Sequence, residues 1–121
     1  MGTKRIGHGF AILNHPHLID LAREKQICLE VCPVSNLILG YTFDLRWHPA
    51  RSLMYRGVPI TISADDPGFW KTYGVSLDYC YASLAWQLTI KELKQLAING
   101  IKHAALTDSE KEKVSVNSYT P

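Results

Sequence analysis

The stretch "TISADDPGFW" (residues 61–70) ends an apolar segment with two adjacent aspartates and a proline. Two neighbouring carboxylates repel each other and are costly to bury unless a cation or several hydrogen-bond donors stabilise both. A metal ion, a helix N-terminus or an arginine would stabilise the two carboxylates. Successive side chains at a strand end point in different directions, so Asp65 and Asp66 can meet two different partners. The alternative is an ordinary turn with a capping aspartate and a surface acid.

The segment before these aspartates is one of three apolar runs that predict parallel strands. The runs are "RIGHGF" (residues 5–10), "ICLEVCP" (residues 27–33) and "VPITIS" (residues 58–63). Ile, Val, Leu and Cys dominate them and charges are few, as is typical of strands covered on both faces. The sequence therefore predicts an α/β protein.

Helices are predicted in the two intervals between these strands. Asn14 is expected to cap a helix through "HPHLIDLAREKQ" (residues 15–26), where apolar residues recur at helical spacing. A second helix is expected to start near Pro49 and to stop at Gly57, which suits a proline in the first turn and a glycine just past the end.

The part of the chain after the third strand predicts helices alone. One is expected from Ser76, and two more follow capping boxes formed by Thr89 with Glu92 and by Thr107 with Glu110. The tail "SVNSYTP" (residues 115–121) predicts an unstructured end. Three parallel strands with helices would keep two open edges and one uncovered face, so we expect the chain to be part of a larger α/β fold.

The composition indicates a globular protein. Of 121 residues, 46% are hydrophobic and 20% are charged, which excludes a disordered chain. The formal net charge is only +2 and the basic residues are scattered, so we expect no nucleic-acid partner. No apolar run approaches the roughly 20 residues that span a bilayer, and we expect no membrane partner and no signal peptide in these residues.

Cysteines and most histidines are expected to be structural. We expect Cys28, Cys32 and Cys80 to be reduced core residues, because no second cysteine pair with zinc-ligand spacing follows. His15, His17 and His48 flank helix starts beside prolines and are expected to be loop or capping residues, so the "HPH" motif is not expected to bind a metal. For His103, on a late helix, a surface position is expected.

Functional side chains of parallel α/β proteins collect at the carboxyl ends of the strands. This rule selects His8 between two glycines, Ser35 with Asn36 after the second strand, and Asp65 with Asp66 after the third. The glycines around His8 let a substrate or backbone approach and expose the imidazole to a pocket. A satisfied structural histidine is the alternative for His8.

Three motifs together resemble the last three strand ends of the adenosine deaminase family, and of its secreted, growth-factor type in particular. They are "RIGHGF", "EVCPVSN" (residues 30–36) and "ISADDP" (residues 62–67). The resemblance runs from about residue 3 to residue 114. It implies that residues 3–114 are the C-terminal part of a catalytic TIM (β/α)8 barrel, incomplete as given, and that residues 115–121 are a tail.

The resemblance also implies a reaction and site residues. The family hydrolyses adenosine to inosine and 2'-deoxyadenosine to 2'-deoxyinosine, releasing ammonia, with one Zn²⁺ held by three histidines and one aspartate. By resemblance, Asp65 is that aspartate, Asp66 hydrogen-bonds N7 of the purine, and His8 orients and stabilises the attacking hydroxide. Zinc makes hydroxide available at neutral pH because it lowers the pKa of water from about 15.7 toward about 7. Cys32 is not expected to be a ligand.

Several family features have no counterpart in these residues: the His-X-His of the first strand, the third zinc histidine and the glutamate that protonates N1. With one of four ligands, the chain alone is predicted to be inactive. The resemblance implies secretion and, in the full-length form, growth-factor activity and a homodimer. One alternative is an AMP or adenine deaminase, although those relatives usually carry an acid where Gly7 stands. The other is a non-catalytic binding or regulatory product.

Overall fold

A computed structural model describes residues 2–117 of the chain, which form a three-stranded sheet surrounded by helices. All neighbouring strands are parallel, and the prediction of three parallel strands is confirmed. Ile6 pairs with Leu29, and Leu29 pairs with Ile60, so the three side chains share one face of the sheet. In sheet order the strands are β1 (Arg5–Gly7), β2 (Cys28–Val31) and β3 (Ile60–Ile62), each shorter than its apolar run.

Helices fill the intervals and the whole region after β3. Within residues 2–117, short 3₁₀ helices span Phe10–Asn14 and Leu45–Trp47. The α-helices are α1 (Pro16–Glu24), α2 (Pro33–Ile38), α3 (Ala50–Tyr55), α4 (Pro67–Trp70), α5 (Ser76–Trp86), α6 (Ile90–Lys102) and α7 (Asp108–Asn117). None of the helices in this part of the chain combines the length and apolar character needed to cross a bilayer.

The predicted helix boundaries hold in one interval and fail in the other. The prediction that Asn14 caps α1 is wrong, because Asn14 closes the 3₁₀ helix and His15 takes the N-cap position without a side-chain cap bond. Pro16 stands at the first helical position, where its fixed φ and missing N–H favour a start. The prediction for α3 is confirmed: Pro49 is its N-cap, and Gly57 lies just past its end with φ +80°.

Both predicted capping boxes are present. The Thr89 hydroxyl accepts from Glu92 N while Glu92 Oε2 accepts from Thr89 N, and Thr107 and Glu110 exchange the same two bonds. The second box opens α7, which continues to Asn117. The prediction of an unstructured end is therefore wrong for residues 115–117, and residues 118–121 lie outside the described residues.

The core lies between one face of the sheet and the helices. Its buried side chains include Leu29 and Ile60 from the strands, Leu53 from α3 and Leu96 from α6.

The cysteines are free thiols. Cys28 and Cys32 are buried as predicted, whereas the prediction for Cys80 is wrong, because it lies on an exposed face of α5.

Helix α6 covers part of one sheet edge. Leu29 N donates to Pro59 O and Ser63 N donates to Val31 O, so the alternation of the strand turns Ile60 O away from β2. Asn99 Nδ2 donates to that carbonyl at 2.8 Å. Elsewhere large side chains stay in solvent, among them Phe43 (97% exposed) and Tyr73 (99% exposed), as expected of a chain that is part of a larger fold.

Candidate active site

The carboxyl ends of the three strands bring the predicted polar residues together. His8 follows β1, α2 begins directly after β2 and carries Ser35 and Asn36, and Asp65 follows β3. Ser35 Oγ donates to Asp65 Oδ2 at 2.7 Å, and Asn36 Nδ2 lies 2.9 Å from His8 Nδ1. His8 Nε2 lies 3.8 Å from Asp65 Oδ2. Helix α2 has only six residues and no repeating apolar pattern, so its sequence gives no helix signal.

Two site residues have an unusual backbone conformation. His8 (φ 55°) and Asp65 (φ 58°) both lie in the left-handed region, which non-glycine residues rarely occupy. Gly9 also has φ +64°, and a Cβ there would lie 2.7 Å from Leu29 Cδ2. The strand ends therefore hold His8 and Asp65 in conformations that cost free energy, as is common at functional sites.

The two adjacent aspartates have different surroundings. The side chain of Asp65 is 31% exposed, and Ser35, which is fully buried, donates to its Oδ2. Among residues 2–117 no hydrogen bond to Asp65 Oδ1 is formed, so this oxygen can meet a cation. Asp66 is exposed at the N-cap position of α4, yet its side chain makes no cap hydrogen bond. The two carboxylates thus have separate environments, and Asp66 does not act as a simple cap.

The residues present fit a zinc ion in part. His8, Cys32 and Asp65 are the one group among the described residues with three metal-ligand atoms within 4.8 Å of one another. Burial raises the pKa of the Cys32 thiol to about 12, with smaller contributions from Asp65, Asp78 and Glu30, and Cys32 Sγ donates to Glu30 O at 3.4 Å. Zinc binds the thiolate, so this environment favours the carboxylate of Asp65 over Cys32. The exclusion of Cys32 stays a prediction.

Behind His8 lies a buried polar contact that the sequence did not reveal. Asn36 and His48 are 0% and 2% exposed, and His48 Nε2 lies 3.1 Å from Asn36 Oδ1. Ala50 N donates to His48 Nδ1 at 3.1 Å, so His48 caps the start of α3 as expected. Burial lowers the pKa of His48 to about 4, with a smaller contribution from His8. The "HP" step predicted the capping role of His48, but no local signal predicted its contact with Asn36.

A second residue missed from sequence is Asp78 in the first turn of α5. It is 1% exposed, and its Oδ1 accepts from Val34 N at 2.9 Å, at the start of α2. Burial raises the pKa of its carboxyl. A lone acid in the apolar stretch "SLDYCYASLAW" was the available signal. Asp78 fixes the helix that carries Ser35 and Asn36.

The remaining histidines divide as follows. His15 and His17 are exposed at the start of α1, in agreement with their predicted loop or capping positions. His103 is the C-cap residue of α6 and is half-buried, so the predicted surface position holds only in part: its Nε2 is buried with no hydrogen-bond partner among the described residues. Burial lowers the pKa of His103. None of the three contacts the strand-end cluster, which consists of His8, Ser35, Asn36 and Asp65.

The architecture defines a class of protein. Parallel strands joined by helices, with an acid, an imidazole, a hydroxyl and an amide gathered at their carboxyl ends, are the features of an enzyme built on an α/β barrel. A groove between α3 and α6, lined by Met54, Val58 and Leu96, lies away from this cluster. The groove is lined by none of the residues His8, Ser35, Asn36 and Asp65.

The chain belongs to the adenosine deaminase family, whose model, described as "Adenosine deaminase", matches residues 1–119. It is 42% identical over 119 residues to adenosine deaminase 2 of Dictyostelium discoideum, covering 98% of this chain and 22% of that protein. Human adenosine deaminase 2 is 42% identical over 114 residues, covering 92% of this chain and 22% of the human protein. The resemblance of the three motifs is confirmed, and the chain spans about a fifth of the length of these relatives.

Solved structures agree with the fold. An adenine deaminase from Arthrobacter aurescens superimposes with a TM-score of 0.84 at 25% identity over 91% of this chain and 33% of that chain. An amidohydrolase from Burkholderia ambifaria with bound Zn gives 0.79 at 28% identity over 93% of this chain and 32% of that chain. The predicted fold class is confirmed: the chain has the fold of part of a TIM barrel from a deaminase-type hydrolase.

Proposed function

We propose that His8, Asp65 and Asp66 belong to the active site of a zinc-dependent adenosine deaminase, which converts adenosine to inosine and 2'-deoxyadenosine to 2'-deoxyinosine, with release of ammonia. The observation that supports this most is the convergence of His8 Nε2 and the Ser35-bound carboxylate of Asp65, 3.8 Å apart, at the carboxyl ends of two parallel strands. Family membership supports the reaction class, and the strand-end cluster supports the choice of these residues.

Asp65 is the residue of this chain that would hold the zinc ion, through the carboxylate oxygen that Ser35 leaves unbonded. The ion, when bound, supplies a Lewis acid and an activated water at neutral pH. The other ligands come from a complete barrel, because a zinc site normally needs three or four protein ligands. Ser35 orients the carboxylate, as hydrogen-bonding partners behind metal ligands commonly do.

His8 and Asp66 have separate tasks in this proposal. His8 faces the space beside Asp65 and stabilises the oxygen nucleophile with a hydrogen bond from its ring. Asp66, exposed and without a cap bond, binds N7 of the purine ring through a protonated carboxyl, because N7 is an acceptor and needs a donor. The structures of purine deaminases that share the fold support a purine as the substrate, and the relatives named adenosine deaminase 2 favour adenosine among purines.

The 121-residue chain on its own is proposed to be inactive, because it carries too few zinc ligands for a stable site. Secretion, growth-factor activity and a homodimer are proposed for a full-length protein on the strength of the motif resemblance to the secreted type. An adenine or AMP deaminase is a second candidate, which the structural similarity to the Arthrobacter aurescens adenine deaminase favours.

A chimera tests the proposed function. The 119-residue matched segment of the Dictyostelium discoideum relative is replaced by the corresponding residues of this chain, and the product is called the Dictyostelium chimera. Adenosine, 2'-deoxyadenosine, adenine and AMP are offered as substrates. Turnover of adenosine supports the proposal, whereas a folded, zinc-loaded chimera that deaminates only adenine or AMP would replace it with the second candidate.

A further inference from the structure

We propose that Asn36 and His48 are positioning residues that hold the neutral His8 ring in the tautomer with its proton on Nε2, so that His8 faces the Asp65 side of the site as a hydrogen-bond donor. The catalytic meaning of this inference rests on the proposed function. The tautomer itself is a property of the 121-residue chain and needs neither zinc nor substrate.

The hydrogen-bond directions are fixed at one end by a backbone amide. Ala50 N–H can only donate, and it points at His48 Nδ1 at 3.1 Å. His48 Nδ1 must therefore be the acceptor nitrogen. Because the His48 ring is buried and neutral, with its pKa lowered to about 4, its single proton lies on Nε2.

The same donor-to-acceptor direction continues from His48 through the side chain of Asn36. His48 Nε2–H donates to Asn36 Oδ1 at 3.1 Å, which turns the amide nitrogen of Asn36 toward His8. A flipped amide would place Nδ2 against His48 Nε2–H, and two donors would then face each other. The backbone of Asn36 is also held, since its N–H donates to Cys32 O at 2.9 Å and Tyr41 N donates to its carbonyl at 2.9 Å.

The chain of hydrogen bonds from Ala50 N through His48 and Asn36, here called the relay, ends at His8. Asn36 Nδ2–H points at His8 Nδ1 at 2.9 Å, so Nδ1 must accept and the ring proton of neutral His8 lies on Nε2. His8 Nε2 is 3.8 Å from Asp65 Oδ2, which is too long for a hydrogen bond and leaves this N–H directed into the site. The backbone of His8 itself lies in the left-handed region, with φ 55°.

The arrangement decides between two chemical roles for His8. A general base needs a nitrogen without a proton at the reacting side, which would require the proton to move to Nδ1. There it would face the Asn36 amide donor, and the relay would lose a hydrogen bond. A donor at Nε2 instead stabilises negative charge on an attacking oxygen. We therefore assign His8 to charge stabilisation, with Asn36 and His48 setting its orientation.

Nitrogen NMR of the metal-free 121-residue chain tests the tautomer directly. Long-range proton–nitrogen correlation at about pH 8, above the ordinary histidine pKa of about 6.5, distinguishes protonated from unprotonated ring nitrogens. His8→Gln identifies the signals of His8. We expect a protonated-type Nε2 and an unprotonated-type Nδ1. A protonated Nδ1 in the wild-type chain would overturn the inference whether or not the family reaction is catalysed.

Variants test whether the relay is the cause. In Asn36→Asp the carboxylate can only accept, so we expect the His8 proton to move to Nδ1. In His48→Phe, which keeps the ring packing against Phe10 and Trp86, Asn36 loses its orientation and His8 becomes a mixture of tautomers. If Asn36→Asp does not fold, His48→Phe carries the test. An unchanged Nε2–H tautomer in a folded variant would overturn the inference.

The control variant is Asn99→Asp. Asn99 also donates through its side-chain amide, to Ile60 O at 2.8 Å, but it does not touch His8. Its substitution should leave the His8 nitrogen signals in the wild-type pattern. A tautomer change in this variant equal to that in Asn36→Asp would show a general structural effect and would overturn the role of the relay.

Discussion

Ser35 Oγ donates a 2.7 Å hydrogen bond to Asp65 Oδ2, and this contact joins the start of α2 to the end of β3. Ser35 is fully buried, so its hydroxyl has no competing water and holds the carboxylate in one orientation. The adjacent Asp66 has no such partner. The contact explains how two neighbouring aspartates come to have different surroundings.

Ser35→Ala should weaken zinc binding of the Dictyostelium chimera by about 10–100-fold, the usual effect of removing a partner of a metal ligand. Titration against a competing chelator measures it. Ser52→Ala, on α3 and remote from the cluster, is the matched control and should leave zinc affinity unchanged. Equal zinc affinities of the two variants would remove Ser35 from the site.

Asp65→Ala and Asp66→Ala should separate zinc binding from purine binding in the same chimera. Asp65→Ala removes the proposed carboxylate ligand and should abolish zinc retention, measured as metal content after dialysis. Asp66→Ala removes the proposed donor to N7, so it should retain most of the zinc and raise KM for adenosine. The division of labour is wrong if both variants lose zinc to the same extent.

His48 should make the stability of the chain depend on pH. In the native state its pKa is lowered to about 4, from 6.5, mainly by burial. Between these values the unfolded state binds more protons, so the free energy of unfolding falls as the pH falls from about 6.5 to about 4. The total loss is on the order of 3 kcal/mol.

Urea unfolding at about pH 7 and about pH 4.5, followed by tryptophan fluorescence, compares wild type with His48→Gln. The variant lacks this titration and should lose less stability than wild type between the two pH values, because the other titrating groups are common to both. Parallel losses in the two proteins would show that His48 is not kept neutral by burial.

The 121-residue chain on its own should neither retain zinc through dialysis nor deaminate adenosine, because one carboxylate and water hold zinc weakly. Its circular dichroism spectrum gives the control for folding. Stoichiometric zinc with adenosine turnover would refute the predicted inactivity. Stoichiometric zinc without turnover, lost in Cys32→Ser, would instead make Cys32 a ligand.

Much of the fold was predictable because its signals are local. The apolar runs gave the strands, Pro49 and Gly57 gave α3, and the box of Thr89 with Glu92 gave the start of α6. Short helices gave no such signal. Helices α2 and α4 have six and four residues, and Pro33 and Pro67 at their starts also suit turns.

The candidate site was also predictable only in part. His8, Ser35, Asn36 and Asp65 were predictable as neighbours, because the carboxyl ends of parallel strands meet at one edge of a sheet. The contact of His48 with Asn36 was not, since the two residues are 12 positions apart and meet only after α2 has formed. Burial of Asp78 likewise depends on the packing of α5 on α2.

The central claim is that these residues complete a zinc-dependent adenosine deaminase, and the kcat/KM of the Dictyostelium chimera for adenosine tests it most directly. The unmodified relative is the reference and an Asp65→Ala chimera is the background. We predict that the chimera binds one zinc ion and deaminates adenosine well above that background. A folded, zinc-loaded chimera with no more activity toward adenosine than the Asp65→Ala chimera would contradict the account.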